Sequence, residues 1–214
     1  SRGLGDVYKR QIPGGKAASA TSLTVSGVQI DPDAVTAADI VGGVNAKGVE
    51  TGMEVIRQIY PALNMTPGIL LAPGWSENAT VAAGLQAKTG NINGVFRAVC
   101  IVDIDSSATG ATTYTEVKQQ KEKQAVTSPN CYPVWLYAKV GDVVYAGSAM
   151  AAALTVATDA ANGDIPYVSP SNKTLAISAA CLKDGTEVLL DQEQANVVNS
   201  FGVATWLNMN GFRL

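Results

Sequence analysis

Two short, almost wholly apolar runs, separated by one helix length of chain, set the strongest limit on the fold. "GILLAP" (68–73) and "GVFRAVCIVDID" (94–105) flank a segment from Ser76 to Gly90 in which Val81, Leu85 and Lys88 fall along one side. Apolar runs of this kind, bounded by turn residues, read as strands buried on both faces. Strands of that type lie parallel and need a crossover between them, so the spacing predicts strand, helix, strand in one sheet, with Ser76 opening the helix.

The rest of the chain continues the alternation. "SLTVSGVQI" (22–30) alternates as a strand and is stopped by Asp31-Pro32. "TAADIVGG" (36–43) reads as a short helix capped by Thr36 and ended by Gly42-Gly43. Thr51 can cap a helix carrying Met53, Ile56, Ile59 and Tyr60 as an apolar stripe, which Pro61 ends or bends. "TTYTEVKQQKEKQA" (112–125) is polar apart from Tyr114 and Val117 and reads as a solvated covering helix. "CYPVWLYAKVGDVVYAGS" (131–148) predicts two strands around a Gly141-Asp142 turn, and Ser148 opens an alanine-rich helix to about Ala160. An irregular proline-containing stretch, a helix near Gln192 to Asn199 and an apolar strand "GVATWLNM" (202–209) complete the pattern. The expected class is α/β, with a mostly parallel central sheet and crossover helices on both faces.

Composition narrows the function. At 214 residues, 47% hydrophobic and 15% charged, the chain is globular and able to bury a large core. No run of about 18 apolar residues occurs, so no membrane partner is expected. The acidic balance speaks against nucleic acid, whose binding draws on clustered cations. Cys100, Cys131 and Cys181 fall at neither metal-ligand nor redox spacing and read as small hydrophobes in a reducing interior. Glycosylation triplets at Asn64, Asn78 and Asn172 read as chance matches.

The sequence contains 0 histidines. Every Ser-His-Asp or Cys-His relay and every imidazole metal site is thereby removed. The remaining candidates lie at strand ends, where ligands of open α/β sheets gather. Trp75 and Ser76 follow the first buried strand, and Asp103 and Asp105 end the second. The aspartates could hold a divalent metal, but such pairs are commoner as turn residues. Ser76 would need a base such as Lys88 to act as a nucleophile, and helix capping accounts for it without one. Ser148 lacks the Gly-x-Ser-x-Gly elbow. Gly43 to Gly48 has phosphate-loop spacing, but Val49 and Glu50 stand where lysine and a hydroxyl residue are required. Trp75, Trp135 and Trp206 read as core anchors or subunit contacts. No catalytic, cofactor-binding or metal-ligating residue is assigned, and no cofactor is expected.

The opening "SRGLGDVYKRQ" resembles the translation of a common transposon-based sequencing adapter, and residues 1–11 are set apart from the fold on that ground. Without them the 15 cations become 12 and the 18 anions 17, so the net charge is −5 rather than −3.

"IDPDAVTAADIVGG", "GILLAPGWSENATVAAGLQAKTGNINGVFRAVCIVDID", "NGDIPYVSPSNKTL" and "LLDQEQANVVNSFGVATWLNMNGFRL" resemble, in this order, the tail sheath proteins of contractile-tailed bacteriophages. The resemblance implies a subtilisin-like but non-catalytic sheath domain over 28–214, preceded by a linker at 12–27 and cut before the family's Trp-Gly-Asn-Arg-Thr motif and C-terminal domain. It further implies a virion structural subunit assembled in the bacterial host cytoplasm. Its partners would be other copies in hexameric rings and a helical sheath, the tail tube, and the baseplate and tail terminator proteins. A degenerate α/β hydrolase or ligand-binding domain is the alternative from a different class, resting on Trp75, Ser76, Asp103 and Asp105.

Overall fold

The computed structural model describes residues 34–214, so the expectations for 1–11, 12–27 and the strand ending at Ile30 lie outside the described residues. Helix α1 (Ala37–Val41) begins directly after Thr36 and ends at Gly42, as the glycine pair predicts. Gly42 adopts φ +68°, and a Cβ there would stand 1.9 Å from the Thr51 carbonyl oxygen, so only glycine fits. A short hairpin follows, β1 (Gly43–Val44) against β2 (Glu50–Thr51). The failed phosphate loop is this hairpin, and Glu50 is buried in an ion pair with Arg57 and a hydrogen bond from Gln58.

The helix expected from Thr51 is instead a 3-10 helix (Gly52–Gln58) running into α2 (Ile59–Leu63). Thr51 does not cap it: its hydroxyl donates to the Gly43 carbonyl across the hairpin. Pro61 does not end the run, because it sits in the first turn of α2, where no intrahelical N–H is needed. The end comes at Asn64, in left-handed conformation at φ 55°.

Strand β3 (Ile69–Leu71), helix α3 (Ala79–Thr89), strand β4 (Val99–Ile104), helix α4 (Val117–Lys123) and strand β5 (Cys131–Trp135) form the predicted parallel succession. With β10 (Ala204–Thr205) they make a four-stranded, wholly parallel sheet in the order β10-β5-β4-β3. β4 is buried on both faces, since Cys100, Val102 and Ile104 on one side and Ile101 and Asp103 on the other are all nearly inaccessible. β3 departs from expectation: among the described residues it is the edge strand, and Leu71 remains 37% exposed.

The other eight described strands pair antiparallel, which makes the architecture mixed α/β around a parallel centre. The strand predicted from Cys131 breaks at Leu136, which is buried at φ 84°. That left-handed residue turns the chain out of β5 into β6 (Tyr137–Val140), which pairs with β7 (Val143–Tyr145) around Gly141 and with β9 (Ala179–Cys181). Helix α5 (Gly147–Ala161) follows, and α6 (Gln192–Ser200) leads into β10. A last small sheet joins β8 (Thr174–Leu175), β12 (Phe212–Arg213) and β11 (Leu207–Asn208). The predicted strand 202–209 is therefore two strands, split at Trp206.

Trp135 and Trp206 are fully buried, and their indole N–H groups donate to the carbonyls of Ala111 (2.9 Å) and Leu136 (3.2 Å). Both are core anchors, with each polar edge satisfied where the rings are dry.

Candidate functional site at the carboxyl ends of the parallel strands

Strand direction sends Asp103 to the end of β4, and the two chain segments that follow β3 and precede α5 close over it. Ser76 Oγ donates to Asp103 Oδ2 (2.9 Å) and accepts from the Asp103 backbone N–H (2.9 Å). Ser148 donates twice, from its backbone N–H to Oδ1 (2.7 Å) and from its hydroxyl to Oδ2 (2.6 Å). Asp103 thus satisfies one of the orphan N–H groups in the first turn of α5, and its charge lies at the favourable end of that helix. Gly147 allows the approach, because a Cβ there would stand 2.3 Å from the Leu136 carbonyl oxygen.

Gln124, just past α4, ties the remaining backbone. Its amide nitrogen donates to the carbonyls of Asp103 (3.0 Å) and Ser76 (3.4 Å), and its oxygen accepts from the Asp105 N–H (2.9 Å). Ser76, Asp103 and Ser148 are at most 1% exposed. Burial holds the Asp103 carboxyl above the ordinary carboxylate range, opposed by the hydrogen bonds from Ser148 and Ser76. Beside this knot, Glu77 accepts from the Tyr137 hydroxyl (2.6 Å) and pairs with Lys183. Burial raises Glu77 as well, and raises Tyr137 with the help of the Glu77 charge.

The predicted residues do not all meet. Ser76 and Asp103 come together, as does Ser148, but Ser76 does not open the helix. Asn78 is the cap of α3, its side chain accepting from Thr80 N–H (2.9 Å). Lys88 lies in the last turn of α3 and pairs with Glu54 of the 3-10 helix, so it does not serve Ser76 as a base. Asp105 accepts from the Ser107 N–H (2.9 Å), closing its own turn. Trp75 is half-buried against the core. No cluster of three or more metal-ligating side chains occurs among the described residues. The strand order 3-4-5-10 also runs in one direction, so these strands provide no point of reversal at which a ligand crevice opens.

Sequence reasoning missed Gln124 and the pairing of Cys100 with Cys131. Gln124 had a signal: Val117, Gln120 and Gln124 recur three and four apart, and all three are buried. The cysteines face each other across β4 and β5, an adjacency that register alone creates. Burial and the neighbouring thiol push Cys131 up.

No protein-family model matches the chain. Over 188 residues it is 29% identical to a protein of Pseudomonas aeruginosa (strain UCBPP-PA14) named as a prophage major tail sheath protein, covering 86% of this chain and 46% of that one. Over 75 residues it is 40% identical to the tail sheath protein of Burkholderia phage BcepMu, covering 35% of this chain and 15% of the relative. The chain is similar to phage tail sheath proteins. It spans about half the length of the Pseudomonas protein and a smaller part of the Burkholderia phage protein. In this chain, the polar groups that a sheet of this class would turn toward a ligand are consumed in holding three segments together. Among its described residues no helix is long and apolar enough to cross a membrane.

Proposed function

We propose that the chain is part of a structural subunit of a contractile phage tail sheath, which polymerises around the tail tube and contracts to drive the tube through the host envelope. The observation that carries this reading is the similarity over 188 residues to a sheath protein. The burial of Ser76, Asp103 and Ser148 supports it, since a hydroxyl inaccessible to substrate is no nucleophile. On this reading residues 28–214 are a subtilisin-like, non-catalytic rigid body. Neighbouring copies would repeat one heterologous contact into a helical array in the virion. Contraction would then be rearrangement of packed blocks with no bond made or broken by the domain itself. The tube, baseplate and terminator proteins would be its other partners.

Immunogold electron microscopy with antibodies raised against residues 37–214 tests the reading on particles induced from the source bacterium. Label is expected along the outer wall of contractile tails, in both extended and contracted forms. Intact tails without label would overturn the assignment.

A further inference from the structure

Asparagine is followed by glycine at Asn93, Asn162 and Asn210, and the fold holds these steps in different ways. An asparagine loses its amide when the backbone nitrogen of the next residue reaches its side-chain carbonyl carbon. Glycine permits that closure best, because no Cβ stands in the way and the backbone can rotate into it. The reaction therefore needs a side-chain amide and a following N–H that are both free to move.

At Asn162 neither is free. Its Nδ2 donates to the Thr158 carbonyl (2.6 Å), and the Gly163 N–H donates to the Ala160 carbonyl (3.3 Å). At Asn210 the glycine is tied, since the Gly211 N–H donates to Asn208 Oδ1 (3.2 Å). Asn93 and Gly94 differ. They form the exposed tip of a hairpin closed by the Ile92–Phe96 pair, with successive positive φ of 54° and 76°, as Asn-Gly favours in such turns. Val95 and Phe96 donate to the Ile92 carbonyl (3.2 and 2.9 Å), but the Gly94 N–H and the Asn93 amide have no hydrogen-bond partner among the described residues. Rotation of this tip breaks few contacts, so it belongs to the least protected part of the fold.

We propose that Asn93 is a site of spontaneous deamidation, the first of these Asn-Gly steps to react in the folded chain. The Gly94 nitrogen bonds to Asn93 Cγ, the C–N bond of the side-chain amide breaks, and the amide leaves as ammonia with the proton from Gly94. Water then opens the cyclic succinimide at either carbonyl, giving aspartate or isoaspartate. Water is consumed, ammonia is released, and nothing is oxidised or reduced. Either product puts a new carboxylate at the edge of a cleft that Lys88, Arg57 and Glu54 also line. Isoaspartate also lengthens the backbone of the hairpin that carries Phe96 against Tyr60, whose ring centroid lies 4.7 Å away. The site does not depend on the sheath assignment.

Peptide mapping by mass spectrometry tests this on the folded chain aged in mildly alkaline buffer, with heavy-oxygen water marking each carboxylate formed. Asn93 should convert about threefold or more faster than Asn210, the factor that one hydrogen bond makes, and Asn162 should be slowest. In concentrated urea, where these bonds are gone, the rates should converge. Asn93→Gln should remove the first acidic form resolved by ion exchange while thermal melting confirms the fold. Conversion at Asn162 or Asn210 that equals or outpaces Asn93 in the folded chain would overturn the proposal. So would a ranking that persists in urea, or an acidic form that survives Asn93→Gln.

Discussion

The knot around Asp103 and the cleft beneath α6 hold similar side chains in opposite states. At the knot, a buried carboxylate, two serine hydroxyls and a glutamine amide are bonded to one another and to backbone, with every distance at or below 3.4 Å. In the cleft lined by α6 and β12, the buried hydroxyl of Thr205 and the buried Nε of Arg213 have no hydrogen-bond partner among the described residues. A satisfied buried network adds rigidity and little chemistry, because each donor is already engaged. An unsatisfied one costs stability in the folded chain and recovers it when a matching group arrives. Position at a strand end is therefore a poor guide to chemistry in this fold, and the state of each buried donor and acceptor is a better one.

The sharpest way to break this contrast is Asp103→Ala. It strands the Ser148 N–H and two hydroxyls in a dry interior, and urea denaturation should show a loss of roughly 3–5 kcal/mol. If the loss is under about 1 kcal/mol, the knot does not hold the three segments together. Gly147→Ala tests the same region sterically. Its Cβ meets the Leu136 carbonyl, a backbone atom with little freedom to move, so a loss of about 1–3 kcal/mol is expected in the same assay.

Smaller effects sharpen the comparison. Asp103→Asn keeps polar partners for both hydroxyls and should cost about 1–2 kcal/mol. It should also change the pH dependence in a defined sense. Because burial raises the folded-state pKa of Asp103, the folded chain holds that proton more tightly than the unfolded one. Its contribution is fully present below the ordinary carboxylate pKa and is lost as pH rises through the raised value. Stability measured across that window should therefore decline less in Asp103→Asn than in the unaltered chain, and equal slopes would mean that Asp103 is not the group responsible. At the cleft, Asp191→Ala removes the capping box of α6, in which Asp191 and Gln194 bond reciprocally, and should lower the melting midpoint by an amount equivalent to about 1 kcal/mol. Smallest of all, Thr205→Val deletes a hydroxyl that bonds to nothing among the described residues, and stability should be unchanged or raised by up to about 1 kcal/mol. A clear loss would show that the hydroxyl is satisfied after all.

Much of the architecture was legible because it depends on local pattern. The β3-α3-β4 succession, the Gly141 hairpin and the helix near Gln192 to Asn199 follow from apolar runs, turn glycines and helical pattern, all short-range signals. Failures came where a distant partner overrode local preference. Thr51 and Ser76 are good cap residues by type, yet both hydroxyls are taken by partners remote in sequence, Gly43 and Asp103. "GILLAP" is apolar throughout, but its composition cannot show that no further strand among the described residues lies beyond it in the sheet. The break at Leu136 had no signal at all, since leucine rarely adopts positive φ and only the surrounding packing holds it there.

For the candidate site, Ser76, Asp103 and Ser148 were each visible as polar residues at the ends of apolar segments. Their use was not. Asp103 serves the first turn of α5 across 45 residues of chain, a bond that exists only after β4 and α5 are docked. Arg213 and Thr205 gave no cue, lying in a tail that reads as an ordinary strand.

By itself the sequence determined the class of the fold, the crossover order and the absence of imidazole chemistry, because periodicity, turn residues and residue identity are properties of neighbouring positions. Only the tertiary structure decided which polar groups are satisfied and which are left open, because a hydrogen bond between distant residues depends on strand register and helix docking. Those are settled by the burial of the core as a whole, and no short window of residues contains them.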